Sequence, residues 1–210
     1  MNKHYPLFYI AISFLLGALS VLSFAPFNYH FISLLSLSGL FCIWHRLNNA
    51  RQGFLSGLFF GLGLFGFGIS WIYISLNTYG GMPSWLSCLS TFLFCLFCAF
   101  FTGLIGWFSL HKKSSFFLIP FIWTFFEWIK GWLFTGFPWL TMGYSQVPSS
   151  PLVGFLPIIG IYGLTLILTS LALLLSFTLL SKDKRSKLLK VGLVAALLVS
   201  GQILKYIEIC

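Results

Sequence analysis

Long apolar runs separated by short loops dominate this sequence of 210 residues. A helix needs about 20 mostly apolar residues to cross the roughly 30 Å of hydrocarbon in a bilayer. We predict that each such run is a transmembrane helix, and the runs are 6–24, 30–45, 53–76, 85–110, 116–134, 151–180 and 188–206. The predicted fold is therefore an all-α integral membrane protein, a bundle of about seven transmembrane helices in one domain over residues 1–210. Between Pro151 and Pro157 we expect a loop or a kinked start to the sixth helix.

The positive charges of the chain lie in alternate loops. Only 7% of the residues are charged, far fewer than the roughly 25% of soluble domains. Ten of the 12 Lys and Arg residues lie on one predicted side of the membrane: Lys3, Arg46, Arg51, Lys112, Lys113, Lys182, Lys184, Arg185, Lys187 and Lys190. The loops between them, 25–29, 77–84 and 135–150, contain no Lys or Arg. Because short Lys- and Arg-rich loops stay in the cytoplasm, we predict a cytoplasmic N-terminus and a periplasmic C-terminus.

The net charge of +9 does not indicate nucleic-acid binding. The cations occupy the predicted cytoplasmic loops, where they set topology and contact anionic lipid headgroups. No nucleic-acid partner is predicted. Ser23 to Ala25 has the small-x-small pattern of a signal-peptide cleavage site, but the preceding apolar run exceeds the usual 7 to 15 residues and Pro26 would follow the cut. These features favour an uncleaved helix.

The cysteines give no sign of a metal or redox site. Four of the five, Cys42, Cys88, Cys95 and Cys98, fall in predicted helices, and Cys210 is the last residue. The C-x-x-C spacing of Cys95 and Cys98 can indicate redox chemistry or metal binding. No His or carboxylate lies near this pair in the sequence, which favours a role as small hydrophobic side chains. We predict no metal and no cofactor.

A glycine repeat in the third run has two interpretations. Gly61 to Gly66, GLGLFG, satisfies the G-x-G-x-x-G pattern of dinucleotide-binding proteins, but that site needs a preceding strand and an acidic residue about 20 positions later. Neither is present. Gly53, Gly57 and Gly61 recur at every fourth position and share one helix face, so we predict that a neighbouring helix packs closely against them.

Residues 126–146, FEWIKGWLFTGFPWLTMGYSQ, place an acid and a base in a very apolar segment. Glu127 and Lys130 are three residues apart, share a helix face and can pair. A charged side chain at the centre of a bilayer costs about 2.5 to 3.5 kcal/mol, so such residues usually face a bundle interior or a wet cavity. This pattern alone is compatible with a structural ion pair and equally with a functional site. The glycines, proline and aromatic residues that follow interrupt the helix at the predicted outer interface and favour a lipid headgroup or acyl-chain site.

This run closely resembles the membrane part of apolipoprotein N-acyltransferases. In that family an acid, a basic residue three positions later and a glycine precede T-G-F-P-W-L and G-Y-S-Q. The segment 61–83, GLGLFGFGISWIYISLNTYGGMP, is similar to a second family block that ends in G-G-M-P. Weaker matches are LSFAPF at 22–27 and LPIIGIYGLTLIL at 156–168.

The resemblance implies a multi-pass enzyme of the bacterial inner membrane. Such an enzyme transfers an acyl chain from a phospholipid to the α-amino group of the diacylglyceryl-cysteine of a lipoprotein. The family uses a thioester on a Cys nucleophile, a Glu base and a Lys that stabilises the oxyanion, in a nitrilase-like domain after the seventh helix. This chain stops at Cys210. We therefore expect a truncated or split enzyme that is inactive alone and works with a separate nitrilase-like domain, and we assign no catalytic residue.

Candidate lipid or substrate contacts follow from the resemblance and from placement on the predicted outer side. They are Trp71, Tyr73, Tyr79, Gly80, Gly81, Met82, Pro83, Glu127, Lys130, Phe137, Pro138, Trp139, Tyr144 and Gln146. The alternative function is a non-catalytic membrane scaffold or lipid-binding protein. A small transporter is less favoured, since a substrate path usually contains more than one intramembrane charged pair.

Overall fold

The computed structural model describes residues 5–181 and 183–207, and regular secondary structure in these residues is entirely helical. This confirms the predicted all-α class. The helices are α1 (Tyr5–Ser20), α2 (Phe31–Arg46), α3 (Ala50–Gly68), α4 (Trp71–Ile74), α5 (Ser84–His111), α6 (Ile119–Lys130), α7 (Leu156–Leu180) and α8 (Lys184–Ile207). A π-helical turn, Ser75–Tyr79, continues α4. The short 3-10 helices are Val21–Ser23, Lys113–Leu118, Leu133–Thr135, Met142–Gln146 and Pro151–Phe155.

Several of these helices are long and apolar enough to cross a membrane. In the described part of the chain, three meet this standard: α5, the stretch Pro151–Leu180 and α8. A fourth span results if α3 and Trp71–Tyr79, bent by 49° at the break between them, are counted as one. Helix α6 has 12 residues and a length of about 18 Å, which is less than the bilayer core. The count of seven spans and the orientation of the termini stay predictions.

Helix α3 packs against α5 through its glycine face. The backbone of α5 lies so close that a Cβ at Gly57 would meet the carbonyl oxygen of Thr102. A Cβ at Gly61 would lie 2.7 Å from Cα of Ala99, and Gly53 faces α5 in the same way. Such close approach maximises van der Waals contact where lipid provides no hydrophobic drive for helix association.

A second glycine contact joins α3 to α1. A Cβ at Gly17 would meet the carbonyl oxygen of Phe60, and a Cβ at Gly63 would meet that of Phe14. Helix α3 is therefore held between α5 and α1 through glycines on two of its faces.

An aromatic cluster fills the centre of the bundle. The ring of Trp123 lies 6.0 Å from Phe41, 6.1 Å from Phe60 and 6.4 Å from Trp44, measured between ring centroids. The indole of Trp44 is fully buried and donates a hydrogen bond to Oγ of Ser56 at 2.7 Å. The cluster fixes the position of α6, which carries Glu127 and Lys130.

The sixth predicted range begins as an irregular segment. A 3-10 helix, Pro151–Phe155, leads into α7, whose backbone leaves helical geometry at Gly160 with φ of 65°. Helix α8 packs against this 3-10 helix, and Nζ of Lys205 donates to the carbonyl oxygen of Pro148 at 3.1 Å. The end of the bundle that holds Pro148 and the start of α2 is called the outer end below, and the opposite end the inner end, after the predicted topology.

Candidate functional site

Glu127 connects three elements at the outer end. Its side chain is only 6% exposed, and its carboxyl oxygen Oε1 accepts hydrogen bonds from Nε1 of Trp123 at 3.0 Å and from the backbone N–H of Met142 at 2.9 Å. Oε2 accepts a hydrogen bond from the hydroxyl of Thr165 on α7 at 2.9 Å. The same hydroxyl accepts a bond from the backbone N–H of Gly143 at 2.9 Å. Glu127 thereby ties α6 to α7 and to the end of the loop that follows α6.

Lys130 holds the middle of the same loop. Its ammonium, 4% exposed, donates a hydrogen bond to the carbonyl oxygen of Trp139 at 2.9 Å and lies 4.6 Å from the ring centroid of Phe65. The direct pairing that their helical spacing allows is not formed, since no ion pair joins the charged atoms of Glu127 and Lys130. The physical reason is that loop backbone and neighbouring side chains supply both groups with partners of their own, so each charge satisfies different buried polar atoms.

The loop between Trp132 and Leu140 adopts an uncommon backbone conformation. Phe134, Thr135 and Leu140 have φ of 51°, 76° and 56°. Side chains other than glycine rarely occupy this region, and such residues persist only where surrounding contacts hold them. Gly136 has φ of 83° and lies against the carbonyl oxygen of Gly131, where a Cβ does not fit. The two charged anchors therefore hold a loop whose shape is costly by itself.

A cavity of about 700 Å³ lies beside this loop at the outer end. Loop residues Pro138 and Trp139 form one wall, and Trp71 of α4 faces them with its ring centroid 5.9 Å from that of Trp139. The complete lining is Phe24, Ala25, Asn28, Gly68, Trp71, Pro138, Trp139, Leu140, Tyr144, Val147 and Pro148. It contains no charged side chain, and its side-chain polar groups are an amide, an indole N–H on each tryptophan and a phenol. This composition suits a largely uncharged ligand.

Asn28 gives the cavity an unused hydrogen-bonding group. Its Oδ1 is buried and has no hydrogen-bond partner among the described residues, while its Nδ2 donates weakly to the carbonyl oxygen of Pro26 at 3.3 Å. A buried polar atom without a partner is rare in proteins and calls for a physical explanation, such as a bound ligand.

Four predicted contacts, Trp71, Pro138, Trp139 and Tyr144, meet at this cavity. Phe137 lies one layer deeper, with its ring 4.8 Å from Phe94 and 5.7 Å from Trp139.

Six further candidates lie outside the cavity lining. Tyr73 lines a neighbouring groove of about 410 Å³ that also contains Cys88. Tyr79, Gly80, Gly81, Met82 and Pro83 form the connection from α4 to α5, where Nδ2 of Asn77 donates to the carbonyl oxygen of Met82 at 2.8 Å.

Gln146 is buried in a polar network rather than exposed at the cavity. Its Nε2 donates to the carbonyl oxygen of His30 at 3.2 Å and to Oγ of Ser33 at 2.9 Å. Ser145 shares this network through a 2.9 Å hydrogen bond to Oγ of Ser33. The segment after the cavity loop is thereby fastened to the start of α2.

Sequence reasoning missed the cavity wall formed by the first loop. Phe24, Ala25 and Asn28 line the cavity, together with Val147 and Pro148. The weak family match LSFAPF covers the first two of these positions, so a signal was present. No sequence pattern indicates that this loop meets residues 147 and 148, because tertiary packing alone brings them together.

The structure brings Cys98 next to the buried charges. Cys98, Glu127 and Lys130 line one cavity of about 20 Å³. This volume holds about one water molecule and excludes an acyl chain. Cys98 is fully buried, and the described residues contain no cluster of His, Cys, Asp and Glu that could hold a metal ion. An acyl chain therefore does not reach these three side chains through this cavity.

Comparisons with known proteins identify the family that the sequence motifs resemble. A family model described as "Apolipoprotein N-acyltransferase N-terminal domain" matches residues 16–174. The chain is similar to apolipoprotein N-acyltransferase from Nitrosomonas europaea, with 43% identity over 166 residues that cover 77% of this chain and 33% of the relative. It is 39% identical to the enzyme of that name from Methylococcus capsulatus over 176 residues, covering 80% of this chain and 34% of the relative. The Coxiella burnetii protein is 36% identical over 198 residues, covering 91% and 40%.

The chain spans about a third of the length of the first two relatives. The family model covers well over half of the chain, including the cavity and both anchors of its loop. The chain therefore belongs to the apolipoprotein N-acyltransferase family.

Proposed function

We propose that this chain is the membrane portion of an apolipoprotein N-acyltransferase and that the outer-end cavity holds a lipid substrate. The reaction would transfer an acyl chain from a phospholipid to the α-amino group of a lipoprotein, in the bacterial inner membrane. One observation carries the proposal: the family-specific TGFPWL loop, anchored by Glu127 and Lys130, forms a wall of a 700 Å³ cavity.

The lining of the cavity supports the glycerol ester and acyl region of a lipid as ligand. Its volume lies within the roughly 300 to 1,000 Å³ of small-molecule sites. Trp71 and Trp139 supply large apolar surfaces, and the absence of charge in the lining disfavours a phosphate group. The ester and acyl groups of a phospholipid carry no hydrogen-bond donor, so the free acceptor on Asn28 fits the α-amino group of the lipoprotein substrate.

In this proposal the chain binds and positions lipid, and the chemical step belongs to a nitrilase-like domain. Acyl transfer through a thioester needs a thiol activated by a base and an oxyanion site. Both oxygens of Glu127 are occupied by loop and helix donors, so this carboxyl is not available as that base. The family resemblance assigns the Cys, Glu and Lys of the reaction to the nitrilase-like domain.

A chimera tests the proposal directly. Residues 16–174 replace the matching segment of the Nitrosomonas europaea enzyme, and the chimera is expressed in cells depleted of their own acyltransferase. We expect triacylated N-terminal cysteines, measured by mass spectrometry of lipoprotein peptides. Trp139→Ala should lower the rate of N-acylation about tenfold, since it removes a large apolar wall. Trp128→Ala is the matched control, because Trp128 is similarly exposed but does not line the cavity.

The outcomes separate the two candidate functions. A chimera that reaches the membrane but never N-acylates would contradict the proposal. If that chimera still binds phospholipid, with binding weakened by Trp139→Ala, the result favours the lipid-binding or scaffold alternative.

A further inference from the structure

A second cavity, of about 420 Å³, lies at the inner end of the bundle. It opens between the ends of α2 and α5, the segment Lys113–Leu118 and α7. The rings of Phe116 and Phe117 lie 5.7 Å and 5.5 Å from that of Phe177, and together they form an apolar wall. This size is sufficient for a small polar headgroup with the first part of its acyl chains.

The floor of this cavity contains an unpaired hydroxyl. Ser109 is 0% exposed, lines the cavity, and its Oγ has no hydrogen-bond partner among the described residues. The indole N–H of Trp44, which also belongs to the lining, already donates a hydrogen bond to Oγ of Ser56. Serine in a membrane helix usually bonds the carbonyl oxygen of the preceding turn, as Thr91 and Ser38 do here. The Oγ of Ser109 is therefore a buried donor beside the cavity that an acceptor on a ligand would satisfy.

Among the residues that the structure describes, positive and polar groups line the cavity and acidic groups do not. Lys112, His45 and Asn48 line it, and Nζ of Lys190 lies 5.8 Å from the ring centroid of Phe177. No acidic residue is part of the lining. Asp183, the described acid near the start of α8, instead accepts backbone hydrogen bonds from the first turn of that helix. The charge of the site is complementary to an anion.

We propose that this cavity binds the phosphate of an anionic phospholipid, with Ser109 and Lys112 as donors and the phenylalanine wall against the start of the acyl chains. Basic pockets between helices on the cytoplasmic side are typical sites for acidic lipids, and the cytoplasmic leaflet carries the negative surface charge. The outer cavity has no charged lining residue, so the two cavities select different parts of a lipid. This site does not depend on the acyltransferase proposal.

Thermal stability of the purified full chain in neutral detergent tests the site. A ligand that binds the folded state raises the melting temperature in a saturable manner. Three probes are compared: phosphatidylglycerol, phosphatidylcholine with the same acyl chains, and inorganic phosphate. We expect phosphatidylglycerol to stabilise the chain and the other two to have no comparable effect.

Two variants and a control locate the effect. Ser109→Ala removes an unpaired buried hydroxyl, so without lipid the variant should be at least as stable as the parent. Its half-saturating concentration of phosphatidylglycerol should rise about tenfold, and that of Lys112→Ala likewise, as for a lost hydrogen bond to a charged group. Arg51→Ala removes an exposed inner-end cation that does not line the cavity and should leave the response unchanged.

Three results would overturn the proposal. Equal stabilisation by phosphatidylcholine would show that charge is not recognised. Stabilisation by inorganic phosphate alone would identify a free-anion site rather than a lipid site. An unchanged response to phosphatidylglycerol in both Ser109→Ala and Lys112→Ala would place lipid binding elsewhere.

Discussion

Two buried charges, rare in a chain with three acidic residues, act on the backbone of one loop. Lys130 donates a hydrogen bond to the carbonyl oxygen of Trp139, and Glu127 accepts one from the N–H of Met142. The two side chains therefore hold the loop backbone at two positions that are three residues apart. The loop carries several left-handed residues other than glycine, and these anchors offset the cost of that conformation. The charges thus contribute to the site by shaping the wall of the outer cavity.

Removal of the carboxyl should destabilise the protein strongly. Glu127→Ala leaves the N–H groups of Met142 and Trp123 buried without an acceptor and leaves Lys130 without a nearby negative charge. We expect a loss of about 3 kcal/mol, seen as a lower melting temperature in detergent. Glu127→Gln keeps an acceptor and should lose less. Thr124→Ala, one turn earlier on α6, removes only a local hydrogen bond and serves as the control.

The two anchors should be energetically coupled although they do not touch. The double variant Glu127→Ala, Lys130→Ala should be more stable than the sum of the single losses indicates, because both changes release the same loop and only the single variants leave a lone buried charge. A double-mutant cycle in detergent measures this coupling. Additive losses would contradict the view that both residues hold one structural unit.

At the level of helices, α3 packs closely against two other helices and also leads to the outer cavity. It contacts α5 through Gly53, Gly57 and Gly61 and α1 through Gly63, so neighbouring backbones approach it from two sides. Its bend of 49° into the segment that begins at Trp71 then carries that residue to the outer cavity. The helix that packs closely against its neighbours near the inner end therefore also positions a wall residue of the cavity at the outer end.

Substitutions on the glycine face should loosen the bundle. Gly57→Ala introduces a Cβ against the carbonyl oxygen of Thr102, and we expect a loss of about 1 to 3 kcal/mol, larger for Gly57→Leu. Gly66→Ala is a control on the same helix, since nothing lies within 4 Å of its Cβ position and alanine favours helix. Equal melting temperatures for Gly57→Leu and the parent would refute the packing role.

At the scale of the whole molecule, the two ends of the bundle differ in chemistry. The outer end carries an uncharged aromatic cavity, and the inner end carries a cavity with cations around an unpaired hydroxyl. This asymmetry follows the distribution of Lys and Arg between the loops, which also predicts the orientation of the chain in the membrane.

Reporter fusions test that orientation. A periplasm-active reporter fused after Cys210 should be active, and the same reporter fused after Lys184 should be inactive, because α8 separates the two points. The comparison needs equal expression of both fusions, measured by immunoblot. The opposite pattern would refute the predicted topology.

Expressed by itself, the 210-residue chain should not N-acylate lipoproteins. Of the described thiols, Cys42, Cys95 and Cys98 lie within helices away from any free carboxyl, and Cys88 faces an apolar groove. No carboxyl among the described residues is placed to act as their base, since Glu127 is fully bonded and Asp183 caps α8 at the inner end. Glu208 and Cys210 lie outside the described residues. Mass spectrometry of lipoprotein N-termini in depleted cells measures the outcome, and triacylated cysteine in the absence of a nitrilase-like protein would be the contrary result.

The sequence by itself determined the helical class and the family, whereas the seven spans and their orientation stay predictions. These depend on local patterns: apolar runs as long as a bilayer is thick, cations in alternate loops, glycine at every fourth position and the TGFPWL and GGMP blocks. The placement of Trp71, Pro138, Trp139 and Tyr144 at the outer side also follows from these patterns, and the structure brings the four together.

Only the tertiary structure decided what the polar groups bind. Helical spacing allows Glu127 to pair with Lys130, but spacing along one helix carries no information on a loop that folds back onto it and offers better partners. Ser145 and Ser33 bond although 112 residues separate them, and Cys98 reaches the buried charges from another helix. Such contacts depend on how the helices pack side by side, and packing is a property of the whole chain that no short stretch of sequence contains.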